Sequence, residues 1–315
     1  MAIARASIIA GPAQVTFNGQ TLFSKEDIKV STKVQTFDVK TAGRPSMKRE
    51  DNVQVEITFT PNGVWAPVIA LINPYASMVI GTDIFGSADV PLVIHSVDGF
   101  TYTYSAAALT KLPDIYLSGG KTLFGAMTFT ALGADNTAPS AANRRVTIAS
   151  AVAYPSPDGY DPSQIMTQGY SVSWGSGSQW SGLDTEDGSV ISFRLSLKPK
   201  QIDSAGIIGM RFTDMEVTAK AKPVGGIGAA DVLTALNIQG TGAGRGRALA
   251  NSGQPLAISG SGIYAQLYAA ALIETGDTFG GETNRIGTIT WMSNTQLVSS
   301  VLKPLFYLGT AAPGS

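Results

Sequence analysis

Pro91-Leu-Val-Ile94 followed by Asp98-Gly-Phe-Thr-Tyr-Thr-Tyr-Ser-Ala-Ala-Ala-Leu109 has an echo later in the chain. It is Pro255-Leu-Ala-Ile258 followed by Ser261-Gly-Ile-Tyr-Ala-Gln-Leu-Tyr-Ala-Ala-Ala-Leu272. Each passage holds a short apolar run opened by proline, a turn containing glycine, and a second run ending in Ala-Ala-Ala-Leu. Two β-prone runs around a glycine turn read as a β-hairpin. Its recurrence in order and spacing reads as an internal repeat.

The match extends outward in both directions. Downstream, Phe124-Gly-Ala-Met-Thr-Phe129 answers to Ile286-Gly-Thr-Ile-Thr-Trp291, inside an expected strand Leu123 to Leu132. Upstream, Val53, Val55, Ile57 and Phe59 alternate with polar residues and stop at Pro61-Asn62-Gly63, the mark of a half-buried strand. Met210 to Ala221, closing on Pro223, is its counterpart, and Val190 to Leu197 echoes Val34 to Val39. Val15-Thr-Phe17 before Asn18-Gly19 predicts a tight hairpin, since Asn and Gly accept positive φ, and Val172-Ser-Trp174 repeats it. Ala66-Pro-Val-Ile-Ala-Leu-Ile-Asn73 reads as a helix stopped at Asn73-Pro74, and Asp231 to Asn237 matches it. The offset stays between about 157 and 164 residues, so the expected fold is mainly β: two tandem β-sandwich or barrel domains, each with one short helix. The expected boundaries are 1–150, a connector 151–168 around Pro155 to Pro162, and 169–315, with one short strand at Arg145 to Ala153. The remaining apolar residues Val298, Leu302, Leu305, Phe306 and Leu308 are expected to be buried.

Composition narrows the function classes. Of 315 residues, 44% are apolar and only 14% charged, against roughly 25% charged in ordinary soluble domains. A surface of Ser, Thr, Gly, Ala, Asn and Gln loses little hydration on meeting a partner; it serves an assembly or a neutral monomer equally. The net charge of −1 gives no basic footprint for nucleic acid. With no cysteine, disulfides and thiolate metal sites are excluded. The opening Met1 to Pro12 has no hydrophobic signal core, and the best apolar run, Val64 to Ile72, is too short to span a bilayer. The expectation is synthesis and folding in the cytosol, with no membrane partner.

Catalytic chemistry has few candidates. His95 is the sole histidine, so multi-histidine metal sites are excluded and any Ser-His-Asp triad must use it. It lies in an expected strand and corresponds to Ser259, which favours a structural histidine. Gly240-Thr-Gly-Ala-Gly-Arg-Gly-Arg247 resembles a phosphate loop but lacks the preceding strand and following helix. It reads as a loop whose Arg245 and Arg247 could meet an acidic partner surface. Asp184-Thr-Glu-Asp-Gly188 misses calcium-loop spacing and reads as a solvated turn. Trp174 with Trp180, and Tyr102 with Tyr104, are either sugar-stacking platforms or ordinary packing, and packing is favoured. No cofactor or metal is expected, and no enzyme activity.

Basic residues gather in Lys40-Thr-Ala-Gly-Arg-Pro-Ser-Met-Lys-Arg49, and again at the start of Lys198-Pro-Lys-Gln-Ile-Asp-Ser-Ala-Gly206. Either stretch serves as an arm to a neighbouring subunit or as a solvated hairpin tip.

The succession Val34-Gln-Thr-Phe37, Gly43-Arg-Pro45, Val53-Gln-Val-Glu-Ile-Thr-Phe-Thr-Pro61, Val68 to Asn73 and Pro91 to Leu132 resembles the tail tube proteins of long-tailed bacteriophages. The resemblance covers most of the chain, because the second half repeats it. It implies a virion structural protein, made in the bacterial cytoplasm, whose β-sandwich subunits form six-membered rings stacked into a hollow tube. DNA would pass through the lumen without specific binding, and other tail proteins would meet the tube ends. It also implies inter-ring or inter-subunit contacts at Lys40, Arg44, Lys48, Arg49, Lys198 and Lys200; Arg245 and Arg247, read from their own loop, join them as contact candidates. Two copies per chain imply three chains in place of six. The competing readings are a decoration or tail-terminator protein, a carbohydrate-binding or carbohydrate-active β-sandwich, and, less well supported, an outer-membrane barrel.

Overall fold

The computed structural model describes residues 7–39, 47–86, 89–118, 123–132, 146–150, 169–202, 206–224, 227, 229–235, 253–260, 262–278, 285–295, 297–298 and 301–313. The protein is mainly β. Its first part contains β1 (Ser7–Ile9), β2 (Gln14–Phe17), β3 (Gln20–Phe23), β4 (Ile28–Val39), β5 (Met47–Phe59) and α1 (Trp65–Ile72). It continues with β6 (Leu92–His95), β7 (Thr101–Tyr104), β8 (Ala106–Lys111), β9 (Ile115–Leu117), β10 (Met127–Leu132) and β11 (Thr147–Ala149). The second part contains β12 (Ser171–Trp174), β13 (Thr185–Ile202), β14 (Gly206–Pro223), α2 (Ala229–Ala235), β15 (Gln254–Gly260) and β16 (Ile263–Thr278). After these come β17 (Arg285–Ser293), β18 (Leu297–Val298), β19 (Val301–Leu302) and β20 (Phe306–Gly309).

Local sequence accounts for many of these elements. Asn18 and Gly19 have φ of 47° and 72°, so the β2–β3 turn takes the left-handed conformation that Asn-Gly favours. In β5, Val55, Ile57 and Phe59 are buried while Gln54, Glu56 and Thr58 are partly exposed. The helix ends at Ile72 as expected, but Asn73–Ser77 continues as one turn of 3-10 helix. Pro74 is accommodated there because the first turn leaves its missing N–H unneeded.

Three sheets carry the fold. One is ordered β1-β4-β5-β10-β8 and a second β11-β7-β6-β2-β3. The third runs β12-β15-β16-β17-β14-β13-β9, with β20 also pairing β16. Corresponding strands pair in corresponding registers. Ile57 faces Phe129, and Ala219 faces Trp291, each 162 positions on. Val15 faces Ile94 as Val172 faces Ile258, and Ile94 faces Tyr102 as Ile258 faces Ala265. One irregularity of these ladders coincides: the ladder steps from Leu109–Phe129 to Lys111–Thr128, and from Leu272–Trp291 to Glu274–Thr290. A β-bulge has a defined local geometry and is a feature of the fold, not noise. Val30 faces Ile57 and Ile191 faces Ala219, which places β4 against β13 at an offset of 161. The sequence comparison of Val34 to Val39 with Val190 to Leu197 had set these strands a few residues out of register.

The halves differ at one junction. In the first, the chain breaks at Ser105: β7 stays in the sheet of β6, and β8 crosses to that of β10. The expected hairpin strand Phe100 to Ala107 is thereby cut short. In the second, β16 runs unbroken from β15 to β17 and joins the equivalent two sheets into one.

The core is aromatic at matching places. Phe17 packs edge-on against Phe129 at 4.9 Å, and Trp174 lies 6.4 Å from Trp291. Phe129 and Trp291 are fully buried. One continuous apolar cluster takes residues from both halves, including Phe124, Leu112, Ile115, Ile191 and Phe306. Several expected strands are shorter than the sequence implied. The last strand before 133 begins at Met127, with Leu123 and Phe124 buried ahead of it, and the strand near 145–153 spans only Thr147–Ala149. Leu302 is 64% exposed, contrary to expectation, because it sits in the two-residue β18–β19 hairpin, whereas Phe306 and Leu308 are buried. The connector 151–168 lies outside the described residues.

Candidate assembly joint

The two halves meet through strand edges. Leu112 and Ile115 lead β9 out of the first half and onto the edge of β13, pairing Ile115–Leu117 with Ile191–Ser189. Gly188 makes that approach possible. Its φ is +76°, and a Cβ there would lie 2.3 Å from Ser118 Cβ and 2.4 Å from the Leu117 carbonyl oxygen. Asp184, Glu186 and Asp187 are exposed as expected, but Thr185–Gly188 is the bulged start of β13 and not a turn: Thr185 faces Pro223 and Glu186 pairs with Lys222. The glycine is needed because β9 lies directly over it.

A second contact lies along the β13–β14 hairpin. The loop following the 3-10 turn reaches the outer edge of β14: Gly81 N–H donates to the Phe212 carbonyl and Phe212 N–H to the Thr82 carbonyl, both at 2.8 Å. Ile84 N–H donates to the Met210 carbonyl at 2.9 Å. The Asp83 carboxylate accepts from Phe85 N–H at 3.1 Å and Met210 N–H at 3.2 Å, with Lys200 Nζ at 3.8 Å. Phe85, Ala108, Leu132 and Ile207 form a small buried cluster beneath.

A third contact closes the molecule. β20 pairs with β16, and its carbonyls reach back to α1: Trp65 Nε1 donates to Gly309 O at 3.0 Å. Asn73 bonds the Leu308 backbone in both directions, and Leu305 N–H donates to Ala76 O at 2.8 Å. Phe306 packs edge-on against Phe193 at 5.1 Å.

The expected contact residues fall in several environments. Lys48 and Arg49 lie on β5, and Lys198 and Lys200 on β13, so the described ends of the two basic stretches are strand; residues 40–46 and 203–205 lie outside the described residues. The ladders continue to Val39–Met47 and Ile202–Gly206, forming two long hairpin arms. Pro199 is tolerated in β13 because β9 covers only residues 189–191 of its outer edge. Lys198 is exposed, while Lys200 turns toward Asp83 of the same chain. Lys40, Arg44, Arg245 and Arg247, with the whole Gly240–Arg247 stretch, lie outside the described residues.

The candidates for chemistry sit on strands or in the apolar core. His95 sits in β6 with Nδ1 3.0 Å from Thr101 Oγ1. Trp174 and Trp180 are buried, edge to face at 4.9 Å, and Trp174 Nε1 donates to Ala270 O. They offer no exposed ring face to a sugar. Tyr104 is buried and Tyr102 half-buried beside it. Among the described residues no group of three His, Asp or Glu could hold a metal ion, and no helix is long and apolar enough to cross a membrane. Sequence reading missed β9, the Asp83 contact and the Asn73 clamp. The Gly188 turn was the one visible sign of a close approach. No protein-family model matches the chain, and no curated protein sequence matches it.

Proposed function

We propose that this protein is a self-assembling structural protein of the phage tail-tube type, arisen by tandem duplication. Its rings would stack into a hollow tail tube through which DNA enters the host. The observation that carries the reading is the correspondence of strand pairings, registers and bulges between the halves, together with their edge-to-edge joint. A chain whose two halves already meet laterally through strand edges contains one joint of a ring. Repeating that joint head to tail between chains gives either a closed ring or an open filament. With two halves per chain, three chains fill the six places of a tube ring. The low charge suits a lumen that lets DNA slide, because lysines and arginines would hold phosphate. Other tail proteins would cap the ends, and the product would be made in the bacterial cytoplasm and end in the virion.

Electron microscopy of the purified protein tests this directly. Rings or tubes are expected, with a ring mass of three chains. A protein that stays monomeric at high concentration and on ageing would sink the proposal, and a ring of six chains would sink its stoichiometry.

A further inference from the structure

Resting on the tube reading, we infer that the outer edge of β5, around Lys48 and Glu50, receives the second half of a neighbouring copy. It would do so as the outer edge of β14 receives the first half within the chain. The two long hairpins share a landmark. In β13–β14 the register steps from Ser196–Asp214 to Leu197–Phe212, leaving Thr213 extra. In β4–β5 it steps from Gln35–Asn52 to Thr36–Glu50, leaving Asp51 extra. The bulges are thus 161 positions apart on one strand and 162 on the other, the same offsets as in the rest of the ladder.

Counting from the bulge places Glu50 where Phe212 is and Lys48 where Met210 is. Phe212 and Met210 are the residues whose backbone N–H and C=O groups face away from β13 and bond to 81–84 of the first half. Among the described residues no strand ladder runs along the equivalent edge of β5: β10 pairs with it only from Val55 to Phe59, and no strand pairs with it from Met47 to Asn52.

The opposite edges of the hairpins correspond as well. β13 takes β9 at Ser189–Ile191, and β4 takes β1 at Ile28–Val30, the same three places at an offset of 161. Among the described pairings, the outer edge of the arm is filled in the second half and open in the first. An exposed strand edge is a template for another chain. The occupant that fits is the one already seated on the equivalent edge: a half of this same fold. The first half is engaged within the chain, which leaves the second half of another copy. The run Lys48-Arg-Glu-Asp51 puts four consecutive charges on this strand, which blunts it against indiscriminate pairing while a matched edge still docks.

Three variants of the full chain test this. A photo-crosslinking amino acid at position 50, in mixed isotopically light and heavy protein, should join different chains, with the captured peptide from 169–315. Glu50→Pro removes the outward N–H without removing a bond to β4 and should weaken assembly about tenfold or more, while Glu50→Ala assembles like the parent. Cross-links confined to one chain or to first-half peptides would overturn the inference while rings of the parent protein kept the tube reading alive. Undiminished assembly of a folded Glu50→Pro would do the same. If that variant fails to fold, the cross-link map decides. Absence of any assembly by the parent protein would remove both.

Discussion

The Asn73 side chain holds the Leu308 backbone as a neighbouring strand would: Nδ2 donates to Leu308 O at 2.9 Å, and Leu308 N–H donates to Oδ1 at 3.1 Å. The residues are 235 positions apart. Asn73 looks in the sequence like a simple helix stop. In the fold it ties β20, and through it β16, to the end of α1.

Asn73→Ala should therefore free β20 from the first half. Losing both bonds and leaving the Leu308 N–H unpaired costs about 1–3 kcal/mol. Urea unfolding should show that loss, and hydrogen exchange should speed up at Leu308 while Ile289 and Trp291 stay protected. Unchanged exchange at Leu308 would mean that the clamp contributes nothing.

Gly188→Ala should separate β9 from β13. The added methyl meets the Leu117 carbonyl and Ser118, and the positive φ is strained for any L side chain, at about 1–3 kcal/mol before the clash is counted. Amide exchange at Ile115 and Leu117 is the measurement. Gly19→Ala makes the control, since it has a similar φ of 72° with nothing within 4 Å. Equal effects of the two substitutions would show that strain alone matters.

Trp180→Ala should reduce stability by about 3–5 kcal/mol, the usual loss for a buried aromatic. Its ring stands edge-on to Trp174 and is sealed from solvent. Glycan-array binding by the parent protein that vanishes in this variant, without loss of stability, would revive a carbohydrate role.

Stability should fall in alkali. Burial raises the phenol of Tyr75, which donates to Leu109 O at 2.5 Å, and pushes Tyr104 and Tyr170 from 10.0 up to about 12. The unfolded chain loses these protons near the ordinary value while the folded chain keeps them. The stabilisation is therefore complete below that value and disappears as pH rises toward the folded ones. In that window each such tyrosine removes about 1.4 kcal/mol per pH unit. Denaturation midpoints from pH 8 to 11 should stay flat and then drop, and Tyr104→Phe should soften the drop.

How much of this was legible beforehand depended on range. Asn18-Gly19, the alternation Val53 to Phe59 and the apolar run before Pro74 announce their conformations within a few residues. The likeness of Pro91–Leu109 to Pro255–Leu272 was legible too, and their strands pair in like registers, Ile94 with Tyr102 and Ile258 with Ala265. What escaped was the choice of partner. Ile115-Tyr-Leu117 is too short for any periodicity, and nothing local says it will pair with Ser189–Ile191. The bases of the hairpin arms were read as loops because Lys, Arg, Pro and Gly mark turns, yet the ladders reach Met47 on one arm and Ile202–Gly206 on the other. Ser105 and Tyr268 hold equivalent places, and only the first interrupts its strand.

The clamp of β20 on α1 also sets an order in time. Trp65 meets its carbonyl partner 244 residues later in the chain, and Asn73 its own 235 later. At roughly 5–20 residues per second of translation, the helix waits on the order of ten seconds or longer for those partners. Until those residues are made, the chain lacks one of the three contacts that join its two parts. Under the proposed self-assembly, the late strand would hold back one contact between the two parts until residues 305–309 have been made.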